Sequence, residues 1–167
     1  MREHEIPLQN ILHPFAERSM KHFHGLLCGV LFVAASAAAG DRFMLVMEGA
    51  AAVDNKTGLV WERSPGVEHV GWADTQDYCR ERMTAGQAGW RVPSKEELAS
   101  LVDPSQVDPA LPDGHPFTNV KSAIYWSSTP DSKDRVLAWH VSFFTGQVTV
   151  DGKHLNRRVW CVRDQRP

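Results

Sequence analysis

The sequence has little net charge and few cysteines, and it lacks internal repeats. Its 167 residues carry 18 Lys and Arg against 20 Asp and Glu, a formal net charge of −2. This balance argues against a protein that binds nucleic acid through bulk positive charge. No repeat, low-complexity segment or linker follows residue 40, and the length suits one domain. An apolar content of 43% excludes a disordered chain.

Motifs for catalysis and for metal binding are also missing. No nucleophile elbow and no phosphate-binding loop is present. Thiol catalysis would need a partly exposed cysteine of low pKa beside a histidine, and Cys79 with His140 is the pair to consider. The four histidines after residue 40 show no His-x-x-x-His spacing. We therefore expect no enzyme, no bound metal and no cofactor.

Residues 20–39 have the pattern of a secretory signal peptide. A basic start is followed by an apolar run from Gly25 to Ala35 and then by small residues. The run is shorter than the roughly 20 residues that span a bilayer as a helix; a retained membrane anchor is the alternative. We expect export to the periplasm or the cell surface, with no stable membrane span after cleavage.

The first 19 residues fit such a signal poorly, because they contain three glutamates. Met20 is therefore a better candidate start than Met1, and a long leading region is the alternative. Residues 1–39 are then an N-terminal extension plus signal peptide, and residues 40–167 form a single domain.

Removal of residues 1–39 leaves two of the three cysteines, Cys79 and Cys161. Two cysteines in an exported protein most simply form a disulfide; two unpaired buried thiols are the alternative. A loop this long would stabilise the fold by about 4 kcal/mol in the chain-entropy model. Cys79 belongs to a helical stripe that runs from Trp72 to Met83, so it is expected to point into the core.

The pattern of apolar residues and breakers predicts an α+β domain, with two helices packed on antiparallel sheets. The first helix is expected over 72–83, and the second starts with a capping box at Ser94 and runs to about Val102. A long proline-containing loop is expected over 103–120. Strands are expected at 42–53, 59–63, 124–129, 136–143, 147–150 and 158–163, the last with alternate residues on opposite faces.

The C-terminal segment is more basic than the rest of the chain. Residues 151–167 contain five Lys and Arg against two Asp. Arginine suits sulfate or carboxylate because its planar guanidinium donates two parallel hydrogen bonds. A solvated edge that discourages aggregation is the alternative reading. The candidate ligand-binding residues are Lys153, His154, Arg157 and Arg158.

Six segments of the chain follow a familiar order. They are Asp54–Trp61, Trp72–Cys79, Gly89–Leu98, Tyr125–Thr129, Ala138–Phe143 and Val159–Arg163. In this order they resemble the bacterial family named for the C-terminal domain of the collagen-like adhesin Lcl, over roughly residues 54–164. The resemblance implies a C-type-lectin-like fold, in which a helix cysteine bonds to a last-strand cysteine. It also implies an exported, often surface-associated protein.

The same resemblance suggests a ligand class. The adhesin after which the family is named binds sulfated polysaccharides through a trimeric C-terminal domain. This chain has no Gly-X-Y collagen stretch, so its oligomeric state stays open. Before residue 54 the polar turn usual in the family is replaced by an apolar segment at 43–47, which leaves the first hairpin open as well.

Calcium-dependent sugar binding is not expected. Calcium lectins carry a Glu-Pro-Asn or Gln-Pro-Asp triplet, whereas the nearest segments here, 111–113 and 129–131, lack the Glu or Gln ligand. Most of the six tryptophans are expected in the core, with at most one or two at a ligand site. The sequence thus predicts an exported module that recognises a glycan, possibly anionic or sulfated, without a dedicated calcium site. The alternative is a structural or assembly protein of the cell envelope that binds a protein partner.

Overall fold

The computed structural model describes residues 42–165, and β-strands dominate this part of the chain. Short helices between the first and the later strands make the α+β class a fitting description. The signal peptide expected over 20–39 and the choice of start codon lie outside the described residues. In chain order the elements are β1 (Phe43–Val46), a 3-10 turn (Met47–Gly49), β2 (Ala51–Asp54), β3 (Leu59–Glu62), β4 (Val70–Gly71), a 3-10 turn (Trp72–Asp74), α1 (Thr75–Arg80), α2 (Lys95–Ala99), β5 (Ile124–Pro130), β6 (Leu137–Ser142), β7 (Val148–Gly152), β8 (Asn156–Arg157) and β9 (Val162–Asp164).

The strands pair into antiparallel sheets. One sheet has four strands in the order β1-β2-β3-β9, so the last strand returns to lie beside the early ones. A second sheet has the order β5-β6-β7. The short strands β4 and β8 form a two-stranded ribbon.

The four-stranded sheet separates two hydrophobic clusters, because successive side chains of a strand point to opposite faces. Trp160 and Val162 belong to the larger cluster, whereas Val159 and Cys161 belong to the smaller one. The alternation predicted for 158–163 is therefore confirmed. The regular strand is shorter than predicted, since the backbone of residues before β9 bonds separately to β5 and β3 instead of forming one continuous ladder.

The predicted disulfide is confirmed. Cys79 in α1 and Cys161 are bonded, with Cα atoms 5.6 Å apart, and both side chains are fully buried in the smaller cluster. The two residues are 82 positions apart in the chain. The bond thus ties α1 to the segment that leads into β9, and the alternative of two free thiols is excluded.

The helix predicted over 72–83 is wrong in its extent. It begins as a 3-10 turn, becomes α-helical at Thr75 and ends at Arg80. Met83, expected to face inward, is 63% exposed. The cause is a tight turn at 84–87, closed by two reciprocal backbone hydrogen bonds, which turns the chain away before another helical turn can form.

The predicted capping box of α2 is confirmed. The Ser94 hydroxyl accepts a hydrogen bond from the Glu97 amide at 3.1 Å, and the Glu97 carboxylate accepts one from the Ser94 amide at 2.8 Å. The helix ends at Ala99 and not near Val102 as predicted. Leu98 and the following Leu101 are nonetheless fully buried, so the inward face continues past the regular helix.

The single edge strand predicted over 42–53 is wrong. The structure has a hairpin of β1 and β2 instead. In the turn that joins them, Met47 and Glu48 have φ values of 52° and 55°, a left-handed conformation that residues other than glycine adopt rarely. Gly49, with φ 83°, is the one residue of that turn whose type favours it. The sequence therefore gives almost no indication that the chain reverses direction between β1 and β2.

The loop predicted over 103–120 is confirmed as free of strands and helices, and it is packed onto the domain. The Ala110 amide donates to the Phe143 carbonyl at 2.7 Å, and the Thr118 amide donates to the Arg63 carbonyl at 2.8 Å. Phe117, in the same loop, joins the larger cluster. The loop therefore closes one side of the core.

Candidate functional site

The β4–β8 ribbon lies against one face of the β5-β6-β7 sheet. Two contacts hold it there. Trp126 Nε1 on β5 donates to the Val70 carbonyl of β4 at 3.2 Å, and Arg157 of β8 pairs with Asp151 of β7. Trp126 also packs against its cross-strand neighbour His140, with ring centroids 6.0 Å apart. The buried rings of Trp126 and His140 therefore lie beneath the ribbon, which carries Arg157.

A tryptophan ring and an ammonium group meet beside this ribbon. Trp72 is half-buried, and its Nε1 donates to the Ser127 carbonyl at 2.8 Å, which fixes the orientation of the ring. Lys153 Nζ lies 4.3 Å from the centroid of that ring and donates to the Arg135 carbonyl at 2.7 Å. A cation over the face of a tryptophan is attracted by the ring quadrupole. The ammonium group is thus held in one place.

Arg157 is held by an acidic neighbour. One terminal nitrogen pairs with Asp151, and the other donates to the Asn156 carbonyl at 3.2 Å. Burial raises the pKa of Asp151, but hydrogen bonds from Arg157 and from the Gly152 amide outweigh this effect and hold the pKa below its usual value. The carboxylate therefore stays ionised and keeps the guanidinium in position, while Arg157 Nε is buried with no hydrogen-bond partner in the part of the chain that the structure describes.

His140 lies under the ribbon and is 4% exposed. Burial lowers its pKa, against the opposing effect of Asp151. Its Nδ1 has no hydrogen-bond partner within the described part of the chain. The imidazole of His140 therefore packs against Trp126 in its neutral form and carries no charge near neutral pH.

The other two predicted residues differ in their surroundings. His154 is exposed, and a Cβ atom at Gly152 would lie 2.5 Å from its ring. Arg158 donates to the Val67 carbonyl at 3.0 Å. Lys153, His154 and Arg157 therefore share the β7–β8 hairpin, whereas Arg158 is bound to the segment before β4.

The sequence pattern misses two residues of this surface. It places Trp72 on a buried helical stripe, but the 3-10 turn before α1 leaves that ring half-exposed. Arg135 is exposed in the turn between β5 and β6, and only the tertiary fold brings it to Lys153. We call the set of Trp72, Arg135, Lys153, His154 and Arg157 the hairpin surface. It offers one aromatic face, three cations and a histidine.

A second lysine–tryptophan pair lies on the opposite face of the same sheet. Lys95 Nζ of α2 is 4.1 Å from the ring centroid of Trp139. Trp139 and His140 are consecutive on β6, so their side chains point to opposite faces. Lys95 Nζ is also 3.5 Å from a Glu96 carboxylate oxygen. This pair therefore resembles the first in geometry but has an acidic neighbour and belongs to another surface.

Three further observations bear on what residues 42–165 can do. Among residues 42–165, no three His, Cys, Asp or Glu side chains gather in a way that could hold a metal ion. The sulfur of Cys79 is bonded to Cys161, so it presents no thiol to His140. In the described part of the chain no helix is long and apolar enough to cross a membrane.

Comparison with known proteins places the chain in a family. A family model described as the Lcl C-terminal domain matches residues 50–163, which is more than half of the chain. The chain belongs to the Lcl C-terminal domain family. Its Lcl C-terminal domain includes the whole hairpin surface, whereas β1 precedes the matched range. No curated protein matches the chain.

Proposed function

We propose that this Lcl C-terminal domain is an exported binding module that recognises an anionic glycan at the hairpin surface, without a dedicated calcium site. The observation that carries the proposal is the Lys153 ammonium group 4.3 Å from the Trp72 ring. The part of this fixed, half-buried ring that the ammonium group leaves uncovered gives a sugar an apolar surface to pack on. The ammonium group beside it suits a sulfate or carboxylate on the same sugar.

The arrangement of charge supports an anionic ligand. The Lys153 ammonium group donates to the backbone carbonyl of Arg135, and Asp151 holds the Arg157 guanidinium in place. Side chains that are already ordered lose less conformational entropy when a ligand binds. We leave Arg158 out of the proposed surface, because its guanidinium is bound to the segment before β4 and not to the β7–β8 hairpin.

The fold and the location are part of the same proposal. We propose a C-type-lectin-like fold, supported by a disulfide from the first helix to the segment before the last strand and by mainly antiparallel sheets. Export is supported by the disulfide, since such bonds persist in oxidising compartments, and by the signal-like sequence over 20–39.

A glycan array tests the proposal. The purified domain is applied to sulfated, carboxylated and neutral glycans, at low and high salt, with and without a calcium chelator. We expect retention on sulfated or carboxylated glycans, weakening with salt because exposed charges are screened, and no effect of the chelator. Absence of binding across a broad array, or binding that the chelator abolishes, would overturn the proposal.

A second candidate function rests on the edge of the four-stranded sheet. Met44 and Leu45 of the outer strand β1 are 53% and 45% exposed. An apolar edge strand can pair with a strand of another protein, as expected of an assembly protein of the envelope. Leu45→Lys should then remove a defined partner that co-purifies with the unaltered protein, whereas Val136→Lys, at an exposed valine outside β1, should not. Loss of the partner in both variants, or in neither, would argue against this function.

A further inference from the structure

A pocket of about 290 Å³ opens on the four-stranded sheet, on the side of the smaller hydrophobic cluster. Val46, Met47, Val53 and Val60 form its apolar walls. Val53 is the cross-strand neighbour of Val60, and Val60 is the cross-strand neighbour of Arg163. Arg163 therefore lies in the same row of side chains and lines the pocket.

No acidic side chain pairs with Arg163 within residues 42–165. The residue is 5% exposed, and its Nη1 is buried without a hydrogen-bond partner among these described residues. None of the ion pairs or side-chain hydrogen bonds of this part of the chain involves its guanidinium. Its one aromatic contact is with Trp90, whose ring centroid lies 5.8 Å from Cζ.

Two other partly buried arginines, unlike Arg163, have an acidic partner. Arg42 pairs with Asp54 at 2.7 Å, and Arg82 pairs with Glu62 at 2.9 Å. Asp164 borders the Arg163 pocket, but its carboxylate is bound at 2.7 Å by Arg91, which also holds Glu97.

An unpaired buried cation is costly. A guanidinium cannot lose its proton in a protein, and burying a charge without a partner carries a large desolvation penalty. An anion in the pocket would remove that penalty. The fold therefore contains a position where one negative group would be strongly favoured.

We propose that this pocket binds a small amphipathic carboxylate. The carboxylate lies on the Arg163 guanidinium, which can donate two parallel hydrogen bonds to it, and the aliphatic body packs on Val53 and Val60. The volume is near the lower end of ligand pockets, so a short aliphatic acid fits and a long lipid chain does not. No residue of the hairpin surface lines this pocket, and the proposal does not depend on glycan binding.

Titration with hexanoate tests the proposal, with hexan-1-ol and acetate as matched probes that lack the charge or the apolar body. Methyl resonances of Val46, Val53 and Val60 are followed by NMR. We expect saturable shifts with hexanoate and binding at least about tenfold weaker for each of the other two, because hexan-1-ol cannot form a charged hydrogen bond with Arg163 and acetate lacks the aliphatic chain that packs on the valines. Equal binding of hexan-1-ol, or no shift of these methyl groups, would overturn the proposal.

Two variants separate a binding role of Arg163 from a structural one. Arg163→Gln should weaken hexanoate at least about tenfold and leave the Tm of the free protein unchanged or higher, because an uncompensated charge is removed. Arg80→Gln, at an arginine whose side chain is 71% exposed, should leave hexanoate binding unchanged. A lower Tm for Arg163→Gln with unaltered hexanoate binding would make Arg163 structural and refute the proposal. If Arg163→Gln does not fold, the comparison of the three probes on the unaltered protein decides.

Discussion

Removal of the Cys79–Cys161 disulfide should lower the free energy of unfolding by about 4.5 kcal/mol. The bond joins residues 82 positions apart, and the chain-entropy model gives about this value for a loop of that length. Domains of this size have free energies of unfolding of about 5–15 kcal/mol. A variant carrying Cys79→Ala and Cys161→Ala should therefore be marginally stable, or largely unfolded at physiological temperature.

Denaturant unfolding followed by tryptophan fluorescence measures this loss. A reducing agent supplies the matched control: it should shift the midpoint of the unaltered protein toward that of the double variant and leave the double variant itself unchanged. A loss below about 1 kcal/mol would refute the reasoning, because a cross-link that constrains the unfolded chain over so long a loop should cost at least 2 kcal/mol to remove. An effect of the reductant on the double variant would show that something other than this bond responds.

Three other interactions have measurable consequences. Ser94→Ala should lower the free energy of unfolding by about 1 kcal/mol, because the Glu97 amide loses its acceptor; unchanged urea unfolding would contradict this. Arg82→Met should cost about 2 kcal/mol or more, because Glu62, 1% exposed, loses its ion pair. Adding Glu62→Gln should restore part of the loss in the same urea assay, and no recovery would contradict the assignment. Burial lowers the pKa of His140, so its contribution to stability is fully present above the unfolded pKa of about 6.5 and is lost as pH falls through the folded value. The fall in Tm between about pH 7.5 and pH 5.5 should be smaller in His140→Gln, and an equal fall would argue against this assignment.

Features set by neighbouring residues could be predicted from the sequence. The capping box of Ser94 and Glu97 requires only a spacing of three, so its geometry follows once a helix starts there. The opposite faces of Val159 and Trp160 follow from extended backbone, even where the ladder is irregular. The pairing of Cys79 with Cys161 was the simplest expectation, because residues 40–167 contain only these two cysteines.

The first hairpin and the half-buried ring of Trp72 depend on features that the sequence pattern does not contain. Met47 and Glu48 adopt left-handed backbone conformations without being turn residues by type. Trp72 lies on the predicted helical stripe, yet its indole turns to bond the Ser127 carbonyl of a distant strand. For Trp72, this tertiary hydrogen bond overrides the local preference.

The candidate site was predictable in composition but not in its pairings. The cluster of basic residues after position 151 is visible in the sequence. The contacts of Lys153 with Arg135 and of Arg157 with Asp151 arise from the fold. Arg163 falls on the same predicted face as Val159 and Cys161, but the sequence does not show that it lacks an acidic partner within residues 42–165, where Arg91 binds the neighbouring Asp164.

The affinity of two lysine variants for a sulfated glycan tests the proposed surface most directly. Lys153 and Lys95 lie 4.3 Å and 4.1 Å from a tryptophan ring centroid, and Lys153→Gln and Lys95→Gln each remove one positive charge. Only Lys153 belongs to the hairpin surface. We predict that Lys153→Gln raises the Kd about tenfold, as expected for one lost charged hydrogen bond, and that Lys95→Gln leaves it unchanged. Equal effects of the two substitutions, or no effect of Lys153→Gln, would contradict a glycan site at this surface.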